Sequence, residues 1–307
     1  MKYIVQSTAV WDTIFLPGMW KPIEAPGGAG FYAMVGMKVW EDDVGLVTGV
    51  GEDYLLHFQE WYRNNALSTQ GMLPKDPHSP RTVIRYALDG ERTEEPVYGQ
   101  EHYRKIGAVP EEIEPFCVNA DGMYVFKSAE AVYWEKLFAL KEKYGFKLMW
   151  EISADAAYAD QFEHVKSIAE KTDIFSINAT EAKSLLQVET IVEAVQQFQQ
   201  WTAPVIYLRL GSHGVRLIQG DRSIYVPSVP NISVKDTTGG GNSSSGGALI
   251  GFCRGCSLEE IGAMGNVSAS FCIEQWGVPD LIDTALREEA ERRKESVLAL
   301  LEGKSNE

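Results

Sequence analysis

Cysteine is scarce: Cys117, Cys253, Cys256 and Cys272 are the only four in a chain of 307 residues. That is too few to staple a protein of this size, which excludes the disulfide-framework class of small secreted domains. Cys253 and Cys256 have C-x-x-C spacing, but no second pair and no neighbouring His completes a metal site. They read as small buried hydrophobes where one apolar helix gives way to the next. Long hydrophobic runs are also missing, so no segment is expected to span a bilayer, and residues 1–6 read as a strand rather than a secretion signal. A reduced, cytoplasmic protein is the expectation. Positive charge is in short supply, with 28 Lys and Arg against 43 Asp and Glu, a net charge of −15. Such a balance repels phosphate backbones and anionic lipid, so neither nucleic acid nor a membrane is an expected partner. No internal repeat is visible.

What the chain does have is a core: 45% of its residues are apolar and 11% aromatic, enough for one large α/β domain over 1–307 without staples. Strand-like and helix-like segments alternate, which predicts a mostly parallel sheet with helices on both faces. The spacing predicts strands over 3–10, 44–50, 123–126, 146–152, 174–177, 205–210 and 224–234. It predicts helices over 29–40, 54–65, 129–144, 161–171, 180–186, 190–201 and 285–302. One stretch departs from this rhythm. Residues 81–88 and 91–97 alternate polar and apolar around Asp89-Gly90, a strong hairpin signal. With residues 13–25 they would form a small β sheet standing off the main body. A lid over about 13–25 and 81–105 is one reading; an ordinary surface hairpin is the other.

The most telling stretch is Asp236-Thr237-Thr238-Gly239-Gly240-Gly241-Asn242, which runs into Ser243-Ser244-Ser245-Gly246-Gly247 and then an apolar run from Ala248 to Cys253. Glycine composition alone would allow a flexible linker. A strand-like run before it and an apolar run after it indicate instead a loop opening a helix. Glycines let the backbone close on an anion, and the free N–H groups of a helix N-terminus point at it. Asn242 stands where a carboxylate would be able to take a proton from an attacking hydroxyl.

Other features follow predicted strand ends, where open α/β sheets place ligands. They are Asp12, Gly27-Gly28-Ala29-Gly30, Asn178 with Glu181, and Gly211-Ser212-His213-Gly214. Each has an ordinary structural reading too: a turn, a helix start, a capping box and a plain turn.

Taken in order, these features resemble the ribokinase, or PfkB, family of sugar and nucleoside kinases over nearly the whole chain. Gly27-Gly28-Ala29-Gly30 and the run from Val44 to Asp53 are similar to its N-terminal pattern. Asn178-x-x-Glu181 is similar to its Asn-x-x-Glu motif, Gly211-Ser212-His213-Gly214 to its Gly-Ser-x-Gly nucleotide loop, and 236–242 to its Asp-Thr-x-Gly-Ala-Gly-Asp motif. The resemblance implies a ribokinase-like three-layer sandwich: a central mostly parallel sheet between helices, with a small β lid. It implies that Asp12, Gly27, Gly28 and Tyr32 surround the substrate. Asn178, Glu181, Arg209, Gly211, Ser212, Gly214 and Asn266 would lie along the nucleotide, with Glu181 acting on Mg²⁺ through water. Gly239, Gly240 and Gly241 would form an anion hole with Asn242 at the catalytic position, and Asp236 would help bind a monovalent cation. ATP and Mg²⁺ are the implied cofactors, with K⁺ as a further cation. The implied partner is a sugar-like or nucleoside-like small molecule, and the lid would pair two copies in a homodimer.

Two departures stand against the family pattern. Its catalytic Asp is Asn242 here, and an amide is not a base near neutral pH. General-base catalysis contributes about 10²–10⁴-fold, whereas phosphoryl transfer draws mainly on positioning and electrostatics. A slow kinase is therefore expected, and Asn242→Asp is expected to accelerate it. A kinase-like binding or regulatory protein that has lost turnover is the competing reading. The second departure is Phe31-Tyr32, in place of a small residue and Asn. With Trp11 these predict an unusually aromatic substrate pocket, unless the rings only fill core.

Overall fold

The computed structural model describes residues 1–88 and 91–304. Along the chain lie β1 (Tyr3–Gln6), β2 (Val10–Phe15), β3 (Ile23–Gly27), α1 (Ala29–Lys38), β4 (Val44–Gly51), α2 (Glu52–Asn64), β5 (Met72–Asp76), β6 (Arg81–Tyr86) and β7 (Arg92–Pro96). Next come α3 (Gly99–Ile106), α4 (Pro110–Ile113), β8 (Gly122–Lys127), α5 (Ala131–Tyr144), β9 (Lys147–Ile152), α6 (Phe162–Ala169), β10 (Ile174–Asn178) and α7 (Ala179–Leu186). The remainder is α8 (Ile191–Phe198), β11 (Ile206–Arg209), β12 (Val215–Gln219), β13 (Arg222–Val226), α9 (Gly240–Cys253), α10 (Leu258–Ile273) and α11 (Thr284–Lys304).

Nine strands form the main sheet in the order β13-β12-β11-β10-β9-β8-β1-β4-β5. The neighbours from β11 to β5 are parallel, and β12 and β13 extend that edge in antiparallel fashion. Successive side chains of a strand point to opposite faces, and the two hydrophobic cores divide accordingly. Tyr3, Val5, Tyr124, Met149 and Tyr207 pack with α1, α9 and α10 on one face. Ile4, Met123, Val125, Leu148 and Trp150 pack with α5 to α8 on the other. Both faces are covered, as a parallel sheet requires. The same parity sends Glu151 and Arg209, two residues past Met149 and Tyr207, toward α9 at the carboxyl end of the sheet.

The predicted strand 3–10 is two strands in two sheets: the chain breaks at Ser7-Thr8-Ala9 and β2 leaves the main sheet. It pairs instead in a four-stranded sheet of order β3-β2-β6-β7, with β2 parallel to β6. The predicted hairpin arms are β6 and β7, paired antiparallel; the turn at Asp89-Gly90 lies outside the described residues. The predicted strand 224–234 extends only over β13, because Pro227 and Pro230 interrupt the alternation. Strands β5 and β12 carried too little periodicity to be expected. All four cysteines are free. No helix among the described residues is long and apolar enough to cross a membrane.

Helix α9 is the element on which the site depends, and its sequence is poor in helix formers. Packing compensates. Gly36 of α1 lies so close to it that a Cβ there would sit 2.1 Å from the Ser243 carbonyl oxygen. Gly36→Ala should therefore push the two helices apart, lowering stability by about 1–3 kcal/mol in urea unfolding and reducing any activity that depends on where α9 begins.

Candidate active site

Two cavities open at the carboxyl end of the main sheet, and one short segment borders both. The first, about 820 Å³, lies under the small sheet and is lined by Gln6, Asp12, Gly28, Tyr32, Gly239 and Asn242 among others. The second, about 550 Å³, is lined by Arg209, Gly211, Ser212, Gly214, Gly241 and Asn266 among others. Thr237, Gly240 and Gly241 face the second cavity, while Thr238, Gly239 and Asn242 face the first. Gly239 caps α9 with φ of +73°, a conformation other residues rarely take, and a Cβ there would strike the Tyr32 ring at 2.1 Å. No side chain caps α9, and its first i→i−4 bond runs from Ser243 N to Gly239 O at 2.9 Å. The amides of Gly241 and Asn242 precede that bond, at the positive end of the helix dipole.

On the first cavity, Asp12 is 4% exposed and no described group donates a hydrogen bond to its carboxylate. Burial pushes it up to about 7, with Glu94 and Asp236 adding to the rise and Arg92 opposing it. Gly27 makes room for it, since a Cβ at 27 would overlap the Asp12 Oδ2 at 1.8 Å. Gln6 Oε1 and Ser7 Oγ, on the same lining, are buried without a hydrogen-bond partner among the described residues. Sequence reading passed over both because β1 looks like any buried strand.

Of Trp11, Phe31 and Tyr32, only Tyr32 lines the first cavity, whose other rings are Tyr103 and Phe126. Phe31 is fully buried against Trp61 and Tyr62. Trp11 alternates to the face opposite Asp12, where it stacks on His57 at 4.0 Å between ring centroids and lies under Arg81.

Behind Asn242 lies a charged cluster that the sequence reading missed. Glu151 is 1% exposed. Its Oε1 accepts from Arg209 Nη1 at 2.8 Å and from Asn242 Nδ2 at 2.9 Å, and its Oε2 accepts from the Tyr124 hydroxyl at 2.9 Å. Asn242 Nδ2 also donates to the Tyr124 oxygen at 3.2 Å. Burial, then Glu151, holds the Tyr124 phenol well above its ordinary value, so it remains a donor. A charged residue inside the apolar run of β9 was the available signal. For Arg209, burial works against the charge, but Glu151 and Glu181 outweigh it and keep the guanidinium above its usual value. Its Nε is buried with no hydrogen-bond partner among the described residues.

Asn178 and Glu181 line neither cavity. They form the reciprocal capping box of α7, each side chain accepting from the other's backbone N–H at 2.9 Å. Glu181 reaches the site only through Arg209, 3.7 Å away, and burial raises its carboxyl against the pull of that cation. Asn266 borders the second cavity while its amide donates to the carbonyls of Val226 and Pro227, fixing the exit of β13. Among the described residues no group of three His, Cys, Asp or Glu is placed to hold a metal.

Asp236 is gripped by the small sheet. Its Oδ1 accepts from the Tyr86 hydroxyl at 2.6 Å, Arg92 Nη1 at 3.1 Å, and the Thr238 amide and hydroxyl at 2.8 and 2.6 Å. Arg92 also donates to the Thr238 hydroxyl. A monovalent cation on that oxygen would have to displace Arg92, so this arrangement does not fit one. At its root the small sheet is held by Asp53, which accepts from the Ser79 amide and hydroxyl and from Arg81.

Known proteins are similar to this chain in sequence and in architecture. The chain is 34% identical over 113 residues to an uncharacterised sugar kinase of Archaeoglobus fulgidus, a match covering 37% of this chain and 44% of that protein. It is 24% identical over 273 residues to a cytidine kinase of Thermococcus kodakarensis, covering 87% and 94% of the two chains. The crystal structure of adenosine kinase from Sinorhizobium meliloti superposes with a TM-score of 0.79 at 21% identity, covering 95% of this chain and 98% of that one. The fold is thus ribokinase-like. The sequence pattern of the family described as pfkB family carbohydrate kinase matches residues 23–285, most of the chain and all but the first strands of the site, and the protein belongs to that family.

Proposed function

We propose that the protein is an ATP-dependent phosphotransferase acting on a hydroxymethyl group of a sugar-like or nucleoside-like acceptor. The observation that carries this reading is the segment 237–242, whose residues face both cavities and whose helix-opening amides lie between them. A phosphoryl group passing from one cavity to the other would cross that N-terminus. ATP would occupy the second cavity along Arg209, Gly211, Ser212, Gly214 and Asn266, with the Arg209 cation on the lining to meet its phosphates. The acceptor would occupy the first, with its hydroxyls on Asp12 and its polar atoms meeting Gln6 and Ser7. Buried polar atoms lacking partners favour a ligand that supplies hydrogen bonds.

In the transfer, the acceptor oxygen bonds to the γ-phosphorus, the bridging β–γ P–O bond breaks, and ADP leaves. The acceptor's proton passes to Asp12, the buried carboxylate of the cleft. Charge developing on the transferred group is met by the α9 amides, which need no reorganisation at that moment. Mg²⁺ carried by the phosphates would neutralise their charge, and Glu181, which lines neither cavity, would bear on it only by way of Arg209; no K⁺ is assigned. The sheet β3-β2-β6-β7 serves as the lid, joined to the transfer segment by Arg92 and Tyr86, and its exposed Met19 and Trp20 would contribute to a homodimer contact. Asn242 keeps a second reading in view: a family member that binds nucleotide or acceptor without turnover.

Purified protein incubated with Mg-ATP and a panel of sugars and nucleosides should release ADP above the acceptor-free rate. If no acceptor gives turnover while ATP or an acceptor still raises the melting temperature, the binding reading replaces the enzymatic one.

A further inference from the structure

Asn242 has two amide hydrogens and one carbonyl oxygen, and the cluster behind it settles which way they point. A carboxylate only accepts, so the contact at 2.9 Å to Glu151 Oε1 must be made by the amide nitrogen. The second hydrogen goes to Tyr124, whose own proton is already committed to Glu151 Oε2. Both hydrogens are thereby drawn inward, away from the cleft that Asn242 lines together with Asp12 and Gly239. Glu151 is itself fixed by Arg209, and it lines neither cavity.

We propose that Glu151 is a positioning residue for phosphoryl transfer: it holds the Asn242 amide nitrogen inward so that the carbonyl oxygen is presented to the acceptor hydroxyl. The inference rests on the phosphotransferase reading. In the bound state Asn242 accepts the hydroxyl's hydrogen bond and so aims its oxygen along the line of attack; as the bond to phosphorus forms, the released proton goes to Asp12 and not to the amide. The carboxylate expected at 242 is not absent from the site but displaced behind it, to the end of β9.

This arrangement reverses what the sequence alone leads one to expect of Asn242→Asp. An aspartate there would face the Glu151 carboxylate across a contact now made by a hydrogen bond, and two carboxylates at that distance repel. The variant should be less stable than the parent and no faster. Glu151→Gln should lower kcat by roughly tenfold, the low end of what a misaligned reacting group costs, with KM for ATP unchanged. Combining them transposes the charge: in Glu151→Gln/Asn242→Asp the amide lies behind and the carboxylate in front.

The decisive experiment measures urea unfolding at pH 8 and steady-state kinetics for the parent, both single variants and the double. The double variant should recover the stability lost by Asn242→Asp and turn over at least as fast as the parent. If Asn242→Asp fails to fold while the double variant folds, the coupling is equally supported. An Asn242→Asp protein that is as stable as the parent and faster, or a double variant no better than the two singles combined, overturns the proposal. Should no protein in the set turn over any acceptor, the phosphotransferase reading fails, and the unfolding data still decide whether Glu151 governs position 242.

Discussion

Replacing Asp12 with Asn is expected to abolish most activity while making the protein more stable in alkaline solution. Both effects follow from a carboxyl that is 4% exposed, accepts no hydrogen bond from any described group, and titrates at about 7. The unfolded chain would release this proton near the ordinary aspartate value of about 4. Between about pH 4 and pH 7 the folded state therefore holds a proton that the unfolded state has lost, and stability declines as pH rises through that window. Above it the folded protein bears the whole penalty of a buried charge, on the order of 4 kcal/mol at most. Asp12→Asn should remove the slope: unfolding midpoints would match at pH 4, and the variant would exceed the parent at pH 8. Its kcat/KM should fall about 10²–10⁴-fold, combining a lost charged hydrogen bond to the acceptor with a lost proton acceptor. In the parent, kcat/KM should rise with pH and level off above about 7. An Asp12→Asn protein that loses activity but keeps the parent's pH-dependent stability would show that Asp12 acts only through the substrate.

How much of this was legible in the sequence depended on whether local chemistry or long-range packing set the feature. The layered α/β fold was legible because buried parallel strands such as β4 and β10 read as short apolar runs and the helices between them keep their spacing. The glycine segment was legible because three consecutive glycines before a helix have few structural uses. Asp12 was singled out as following a strand over 3–10, and the structure places it within β2 on the lining of the first cavity; residues 3–15 show no break in strand propensity, and only tertiary pairing with β3 and β6 separates β2 from β1. Trp11 was misplaced for a related reason, since adjacent residues on a strand face opposite ways. Asn178 and Glu181 show the reverse, a local capping signal that the structure realises as a cap. The cluster of Glu151, Tyr124, Arg209 and Asn242 spans residues from 124 to 242, so its members meet only when β8, β9, β10 and β11 are laid side by side and α9 packs across them. No spacing rule could have joined them.

That cluster makes Arg209 the residue whose loss should do the most damage to folding. Its guanidinium is the only cation within ion-pair range of Glu151 among the described residues, and it also lies 3.7 Å from Glu181. A buried ion pair contributes little net stability beyond an apolar replacement of both partners, but removing one partner strands the other charge. Arg209→Met should therefore destabilise the protein by about 3–5 kcal/mol, read as a lower urea midpoint. Tyr124 and Asn242 would still donate to Glu151, so the loss should stay within that range. Glu151→Gln in the same background removes the stranded charge and should recover a large part of it, a rescue that a simple cavity at 209 would not show. The ATP-dependent rate should respond differently. Arg209 lines the second cavity and a Cβ on Gly241 would come within 2.2 Å of its Nη1, so the guanidinium is packed directly against the segment that opens α9. Even where Glu151→Gln restores folding to Arg209→Met, KM for ATP should remain raised, because the cation facing the nucleotide is still missing. A double variant restored in both stability and ATP affinity would remove Arg209 from the nucleotide site and leave it only the role of counter-ion to Glu151.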